Sequence, residues 1–247
     1  MMTGLSTVNL QGQVILVLGA GRGIGRMAVE MFANAGADLV IASRNDAELA
    51  ELEYKIERGD ATGRVLARAT DATDAQGVHD LVDDAVNKFG RVDKVVYAAG
   101  VGILKPFAAI KASEFEQSMK VNVEGAFHLC QAVLPVMERQ KSGHIIALPG
   151  ILGRAPMAQA AVYAASKYAL TGMLKCLALE YKRAGVRISL LHLGGVNSSF
   201  WDTVGMRVQR DRMLSVEAAA RAVFFAATQE GEGVLGELVL QPESHQM

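Results

Sequence analysis

The sequence predicts an α/β protein, a single doubly wound domain in which strands alternate with helices from end to end. Three observations predict it. A short apolar run, Val14–Leu18, ends in a cluster of glycines and opens into a helix-like pattern. That run lacks the apolar–polar alternation of a one-sided strand, so it suits burial on both faces, as in a parallel sheet. Strand-like and helix-like segments then alternate to the C-terminus at lengths suited to right-handed crossovers.

Each element has its own warrant. After the first strand, Met27, Ala28, Met31, Phe32 and Ala35 recur at helical spacing, and the Ala-Gly-Ala-Asp around Gly36 suits a helix stop. Asp38–Ser43 reads as the second strand and Asp46–Arg58 as a charged helix that ends near Gly59. Arg64–Ala69 is the third strand. Thr73 or Asp74 can cap the next helix, which ends near Phe89-Gly90. Val92–Ala98 is the fourth strand, followed by a long helical stretch from Ser113 to about Arg139. His144–Leu148 is the fifth strand, Ala160–Arg183 a helix and Val186–Leu191 the sixth strand. Residues 196–214 are irregular, Val216–Thr228 is a last helix and Leu235–Gln241 a last strand. Residues 1–11 read as a loose lead-in. With no linker, repeat or low-complexity segment, one domain spans residues 1–247.

Composition narrows the function. The chain is 51% hydrophobic and 21% charged, enough for one large core. A net charge of −1 offers no general attraction to nucleic acid or to an anionic membrane. Without an apolar run of ~18 residues or a signal peptide, a cytoplasmic protein is expected. Cys130 and Cys176 lie in helix-patterned segments and read as buried free thiols. His79, His128, His144, His192 and His245 form no metal-ligand pattern, so no metal site is expected.

The glycine cluster has the spacing Gly19-x-x-x-Gly23-x-Gly25, with Arg22 and Ile24 inside it. Strand, glycine turn and helix together set a helix N-terminus beside a bound phosphate. The N–H groups there are unpaired donors. Further on come Asp71 after the third strand, Asn122 in the middle helix, and Tyr163-Ala-Ala-Ser-Lys167. Order and spacing resemble the short-chain dehydrogenase/reductase family over roughly residues 10–241. Gly194 and Ser198 match that family's Pro-Gly-x-x-x-Thr segment, with Leu193 where proline is usual.

The resemblance implies a Rossmann-like fold with a seven-stranded parallel sheet. The cofactor would lie across the C-terminal strand ends where strand order reverses. It implies Tyr163 as general acid/base and Lys167 as the residue that holds the nicotinamide ribose and lowers the phenol pKa. Asn122 would support a proton-relay water and Asp71 would contact adenine. Gly19, Arg22, Gly23, Ile24, Gly25, Ser43, Arg44, Ala99, Gly100, Gly194, Val196 and Ser198 complete the expected cofactor set, with Tyr163 and Lys167.

Elementary chemistry agrees on the central pair. A free phenol has a pKa of about 10, too high for easy proton exchange near neutrality. A nearby ammonium pulls it down, and Lys167 lies one helical turn on. Asn is unfavourable inside a helix unless its amide is used. For the cofactor, the second strand ends Ala42-Ser43-Arg44-Asn45 with no carboxylate for ribose hydroxyls. Arg44 and Arg22 suit a 2′-phosphate and Ser43 adds a donor, so NADP(H) is expected over NAD(H).

Two departures from the family pattern stand out. Its Asn-Asn-Ala-Gly appears here as Tyr97-Ala98-Ala99-Gly100, without the amides that brace sheet and helix. The family's catalytic serine, thirteen residues before the tyrosine, is Gly150, preceded by Pro149. No hydroxyl residue lies between Ser142 and Tyr163. Losing one such donor typically costs about 10²–10³ in rate, which weakens an enzyme without erasing it. The Gly150 N–H, a water or the substrate itself could take its place.

Residues 196–214 would form the substrate lid. Phe200, Trp201, Met206 and Met213, with Leu152 and Met157 across the cleft and Gly150 beside it, suggest an apolar carbonyl or alcohol substrate, ring-bearing or not. Arg154, Arg207, Arg210 and Arg212 read as solvated charge or as attraction for an anionic group. The apolar helices at 113–139 and 160–183 suggest a homodimer or homotetramer. Two functions follow: an NADP(H)-dependent oxidoreductase, or a catalytically impaired protein of the same fold that acts by binding.

Overall fold

The computed structural model describes residues 8–229 and 233–244. Residues 1–7 of the expected lead-in, and His245, lie outside the described residues. Seven strands form one sheet: β1 (Val14–Leu18), β2 (Asp38–Ser43), β3 (Val65–Ala69), β4 (Lys94–Tyr97), β5 (Gly143–Ala147), β6 (Val186–Leu193) and β7 (Glu237–Leu240). Their order is β3-β2-β1-β4-β5-β6-β7, with every pairing parallel. This is the doubly wound sheet that the alternation predicts, with the seven parallel strands of the Rossmann-like fold that the resemblance implies.

Burial on both faces explains the unbroken apolar runs. In β1, Val14, Leu16 and Leu18 face one core, and Ile15 and Val17 face the other. Helices α1 (Gly23–Asn34), α2 (Asp46–Arg58) and α7 (Val216–Ala227) cover the second face. Helices α3 (Ala75–Phe89), α5 (Gly125–Gln140) and α6 (Ala161–Glu180) cover the first. Each fully buried Leu or Phe contributes about 1.5–3 kcal/mol. Phe32 of α1 stacks on Phe224 of α7 at 5.7 Å, joining the two helices over the sheet.

Three local outcomes differ from the sequence reading. The stretch 113–139 is not one regular helix: α4 (Ala112–Met119) passes through a π turn, Lys120–Glu124, into α5. Such turns insert one residue and concentrate at functional sites, and Asn122 is at the middle of this one. Strand β6 runs two residues further than expected, to Leu193, which pairs with Leu240. The usual proline could not donate to a ladder, whereas leucine can. Finally, Cys130 is buried, with burial pushing its thiol up to about 12, but Cys176 is exposed on the outer side of α6.

The chain turns one way after β1 and the other way after β4, and these two strands are neighbours. A crevice therefore opens beyond their C-terminal ends. Among the described residues, no helix is long and apolar enough to cross a membrane.

Candidate active site

One wall of the crevice is the glycine turn after β1. Gly19 has φ +102°, and a Cβ there would lie 2.5 Å from the Ala99 nitrogen. Only glycine lets the β1 and β4 ends approach this closely. Gly25 packs against the Gly19 carbonyl, and Gly23 takes φ +59° beside Ser198. The N-terminus of α1 follows, with Arg22 at its cap and no side-chain hydrogen bond to its free N–H groups. By contrast, Asn45, Asp74 and Ser215 cap α2, α3 and α7 with their own side chains. The bare donors of α1, opening on a glycine turn, fit an anion such as a pyrophosphate.

Beyond the end of β2, Ser43 donates to the Asn45 carbonyl at 3.3 Å, and Arg44 is exposed. Asp71 accepts from the Thr73 N–H and hydroxyl, each at 2.9 Å. Burial works to raise its pKa, but these donors, with Arg44 and Lys120, hold the carboxyl below its ordinary value. The sequence reading passed over Glu48. Its carboxylate lies against Gly21 and Ser43, so close that a Cβ at 21 would overlap it. Its position in the first turn of α2, three residues after the Asn45 cap, was the available signal.

Helix α6 brings Tyr163 and Lys167 to the crevice. Lys167 Nζ lies 5.6 Å from the Tyr163 ring centroid and donates to the Leu148 carbonyl at 3.1 Å. Burial pulls the Lys167 ammonium down to about 8. Burial also pushes the Tyr163 phenol above its ordinary value. Among the described residues, nothing hydrogen-bonds the Tyr163 hydroxyl.

Asn122 sits behind this pair, fully buried in the π turn. Its Oδ1 accepts from the Val101 N–H, and its Nδ2 donates to the Val101 carbonyl, each at 2.9 Å. Nδ2 also reaches Ser166 Oγ at 2.9 Å, and Ser166 donates to the Tyr163 carbonyl at 2.7 Å. Gly100 fits between the two sides: a Cβ there would lie 3.1 Å from Asn122 Oδ1 and 3.5 Å from Lys167 Nζ. Ser166 and its neighbour Ser118, 3.1 Å apart, are buried links that local sequence does not single out.

Both departures from the family pattern look different in three dimensions. Tyr97 replaces an amide but not its bracing role. Its buried hydroxyl donates to the Val121 carbonyl in the π turn. Gly125 leaves room for it: a Cβ there would lie 2.5 Å from Tyr97 Oη. The expectation of lost bracing is thereby corrected, since a phenol from the strand ties sheet to helix.

At Gly150 the correction runs the other way. Its N–H donates to the Leu191 carbonyl at 3.2 Å, so it is not free to replace the serine. Its backbone has φ +69° and ψ 176°, a conformation that side chains resist. Its carbonyl faces Nδ1 of buried His192 at 3.1 Å, and a carbonyl only accepts, so Nδ1 carries the proton. His192 Nε2 lies 3.2 Å from Glu237, which pairs with Lys175 at 2.5 Å; Arg154 approaches the same carboxylate at 4.0 Å.

The lid closes the outer side. Leu104, Leu152, Ala160 and Val204 are buried together, with Met157, Tyr163, Phe200, Trp201 and Met206 packed on them. Met213 packs instead against Gly195, outside this cluster. Val196 forms an isolated bridge to Leu214 and accepts from Trp201 Nε1 at 2.9 Å. Ser198 caps the short turn Ser199–Asp202. Gly194 leaves room for Pro242, 2.7 Å from where a Cβ would be. Arg210 is bound within the lid, to Asp202 at 2.5 Å and the Ser198 carbonyl at 3.2 Å.

The model of the short chain dehydrogenase family matches residues 13–208. An uncharacterized oxidoreductase of Staphylococcus saprophyticus is 30% identical over 248 residues, covering 97% of this chain and 99% of the relative. A sepiapterin reductase of Chlorobaculum tepidum is 30% identical over 239 residues, 94% of this chain and 96% of that one. A metagenomic short-chain oxidoreductase solved in complex with NADP superposes with a TM-score of 0.81 at 29% identity, covering 94% of this chain and 98% of that chain.

Proposed function

The chain belongs to the short-chain dehydrogenase/reductase family, and from that premise we propose that it is an NADP(H)-dependent carbonyl reductase with Tyr163 as proton donor. One observation carries the reading. Tyr163, Lys167, Asn122 and Gly100 meet at the C-terminal strand ends, beside an uncapped helix N-terminus. A dinucleotide held there would supply a hydride for the carbonyl carbon, and Tyr163 would deliver the proton to the carbonyl oxygen to give an alcohol. Lys167 supports the phenolate that remains.

Arg22 and Arg44 are the cations offered to a 2′-phosphate, and the NADP complex of the metagenomic relative supports NADP(H). Gly19, Gly23, Ile24, Gly25, Ala99 and Ser198 form the pyrophosphate side, and Asp71 the adenine side. The apolar cluster under the lid favours an apolar substrate. Exposed Phe115, Phe127, Tyr168 and Leu179 on α4, α5 and α6 favour a homo-oligomer. A cytoplasmic location fits these features.

The test is consumption of NADPH and NADH against a panel of ketones and quinones, with Tyr163→Phe alongside. Oxidation of NADPH by the parent and a loss of at least about 10² in the variant are expected. A variant as active as the parent rejects Tyr163 as donor. The second reading, a binding protein with impaired chemistry, draws on the missing donor at Gly150. It predicts nucleotide binding with no turnover of any ketone.

A further inference from the structure

Phe200 bridges the mouth of the cleft. Its ring lies 5.8 Å from the Tyr163 ring, tilted by 33°. On the opposite wall is Gly102, so close that a Cβ there would overlap the Phe200 ring edge. Trp201 stands edge-on to Phe200 at 5.2 Å and 86°, anchored through Nε1 to the Val196 carbonyl. Phe200 is thus seated on a glycine, packed at a tilt against the proposed proton donor and backed by a fixed indole.

A carbonyl that is to take a proton from Tyr163 must enter between these walls, where the Phe200 ring now lies. We propose that Phe200 is a resident plug that mimics the substrate, and that the substrate class is flat, ring-bearing carbonyls that replace it. An aromatic substrate restores the ring contact that Tyr163 loses when Phe200 leaves. An aliphatic ketone of equal size restores only apolar contact. That difference sets the discrimination between them, while Phe200 and its seat at Gly102 set the cost of entry that both share. This inference rests on Tyr163 lying in the reacting cleft.

The chain has one tryptophan, so its fluorescence reads the plug directly. The probes are 1-phenylethanol and 1-cyclohexylethanol, titrated into the Tyr163→Phe protein loaded with NADP+, in which turnover is blocked. A red shift of Trp201 emission with 1-phenylethanol, at an affinity at least fivefold above that for 1-cyclohexylethanol, is expected. Gly102→Ala denies the seat and is expected to show the shifted emission without ligand, with both affinities raised at least threefold and their ratio kept. Should that variant not fold, Phe200→Leu removes the ring and is expected to raise both affinities in the same way; affinities unmoved by the substitution overturn the plug. Equal affinities for the two alcohols, or unmoved emission at saturation, overturn the plug. A Tyr163→Phe protein that still turns over ketones at the parent rate instead defeats the proton-donor reading, and is seen in the rate rather than in the emission.

Discussion

At Gly150 a single residue does more than lack a side chain. The space around it is open, since a Cβ would come no nearer than 3.6 Å to the Leu193 carbonyl. The obstacle is conformational: φ +69° with ψ 176° suits glycine, and His192 holds the carbonyl in that orientation. Restoring the family's serine is therefore expected to add strain and no useful donor. Gly150→Ser should lose about 1–3 kcal/mol of stability, and Gly150→Ala about as much. Urea denaturation measures this, with ketone reduction followed in parallel. A serine variant that is as stable as the parent and reduces faster shows that the turn relaxes, and refutes the account. His192 enters this picture only through the fold: forty-two residues separate it from Gly150.

Among the elements, the parallel strands carry the most telling chemistry away from the cleft. Register sets Lys94 of β4, His144 of β5 and Arg187 of β6 side by side. Ser189 donates to the Leu235 carbonyl, so its oxygen accepts from His144 Nε2 at 2.7 Å. The other ring nitrogen, Nδ1, is buried without a hydrogen-bond partner, so the ring is neutral. Burial first, then the charges of Arg187 and Lys94, hold its pKa down to about 3. The unfolded chain binds this proton near pH 6.5, so it takes it up first as pH falls. The stability from neutral His144 is fully present above about pH 6.5 and is lost progressively towards 3. Between pH 7 and 5 the loss is about 2 kcal/mol. The urea midpoint should fall accordingly in the parent and less steeply in His144→Leu; parallel slopes would exclude His144 as the cause. The π turn is a second device at this scale. It places Asn122 against Val101 and presents the Val121 carbonyl to Tyr97.

Over the whole molecule, the two helical layers are unequal. The layer of α1, α2 and α7 is laced by charged pairs, Arg26 with Glu51 at 2.7 Å and Lys55 with Glu30 at 2.8 Å. The opposite layer exposes four large apolar side chains, Phe115, Phe127, Tyr168 and, at 79%, Leu179, against Tyr54 on α2 and Phe225 on α7. An exposed apolar group of that size marks a contact surface. Leu179→Arg is expected to convert a dimer or tetramer to smaller species in light scattering. A monomeric parent, or a variant of unchanged mass, rules out this layer as the interface.

The succession of strands and helices, the glycine turn and the Tyr163–Lys167 spacing are legible in the chain. Each is a local matter: apolar period, turn chemistry, and one helical turn between two side chains. That Tyr97 braces the π turn, that His192 holds Gly150, that Glu48 faces Gly21 and that Phe200 rests on Gly102 emerges with the folded form alone. Those partners are joined across sheet and cleft, where distance along the chain says nothing of distance in space. The Gly150 conformation belongs with them, because a backbone angle enforced by distant partners leaves no trace in the local pattern of residues.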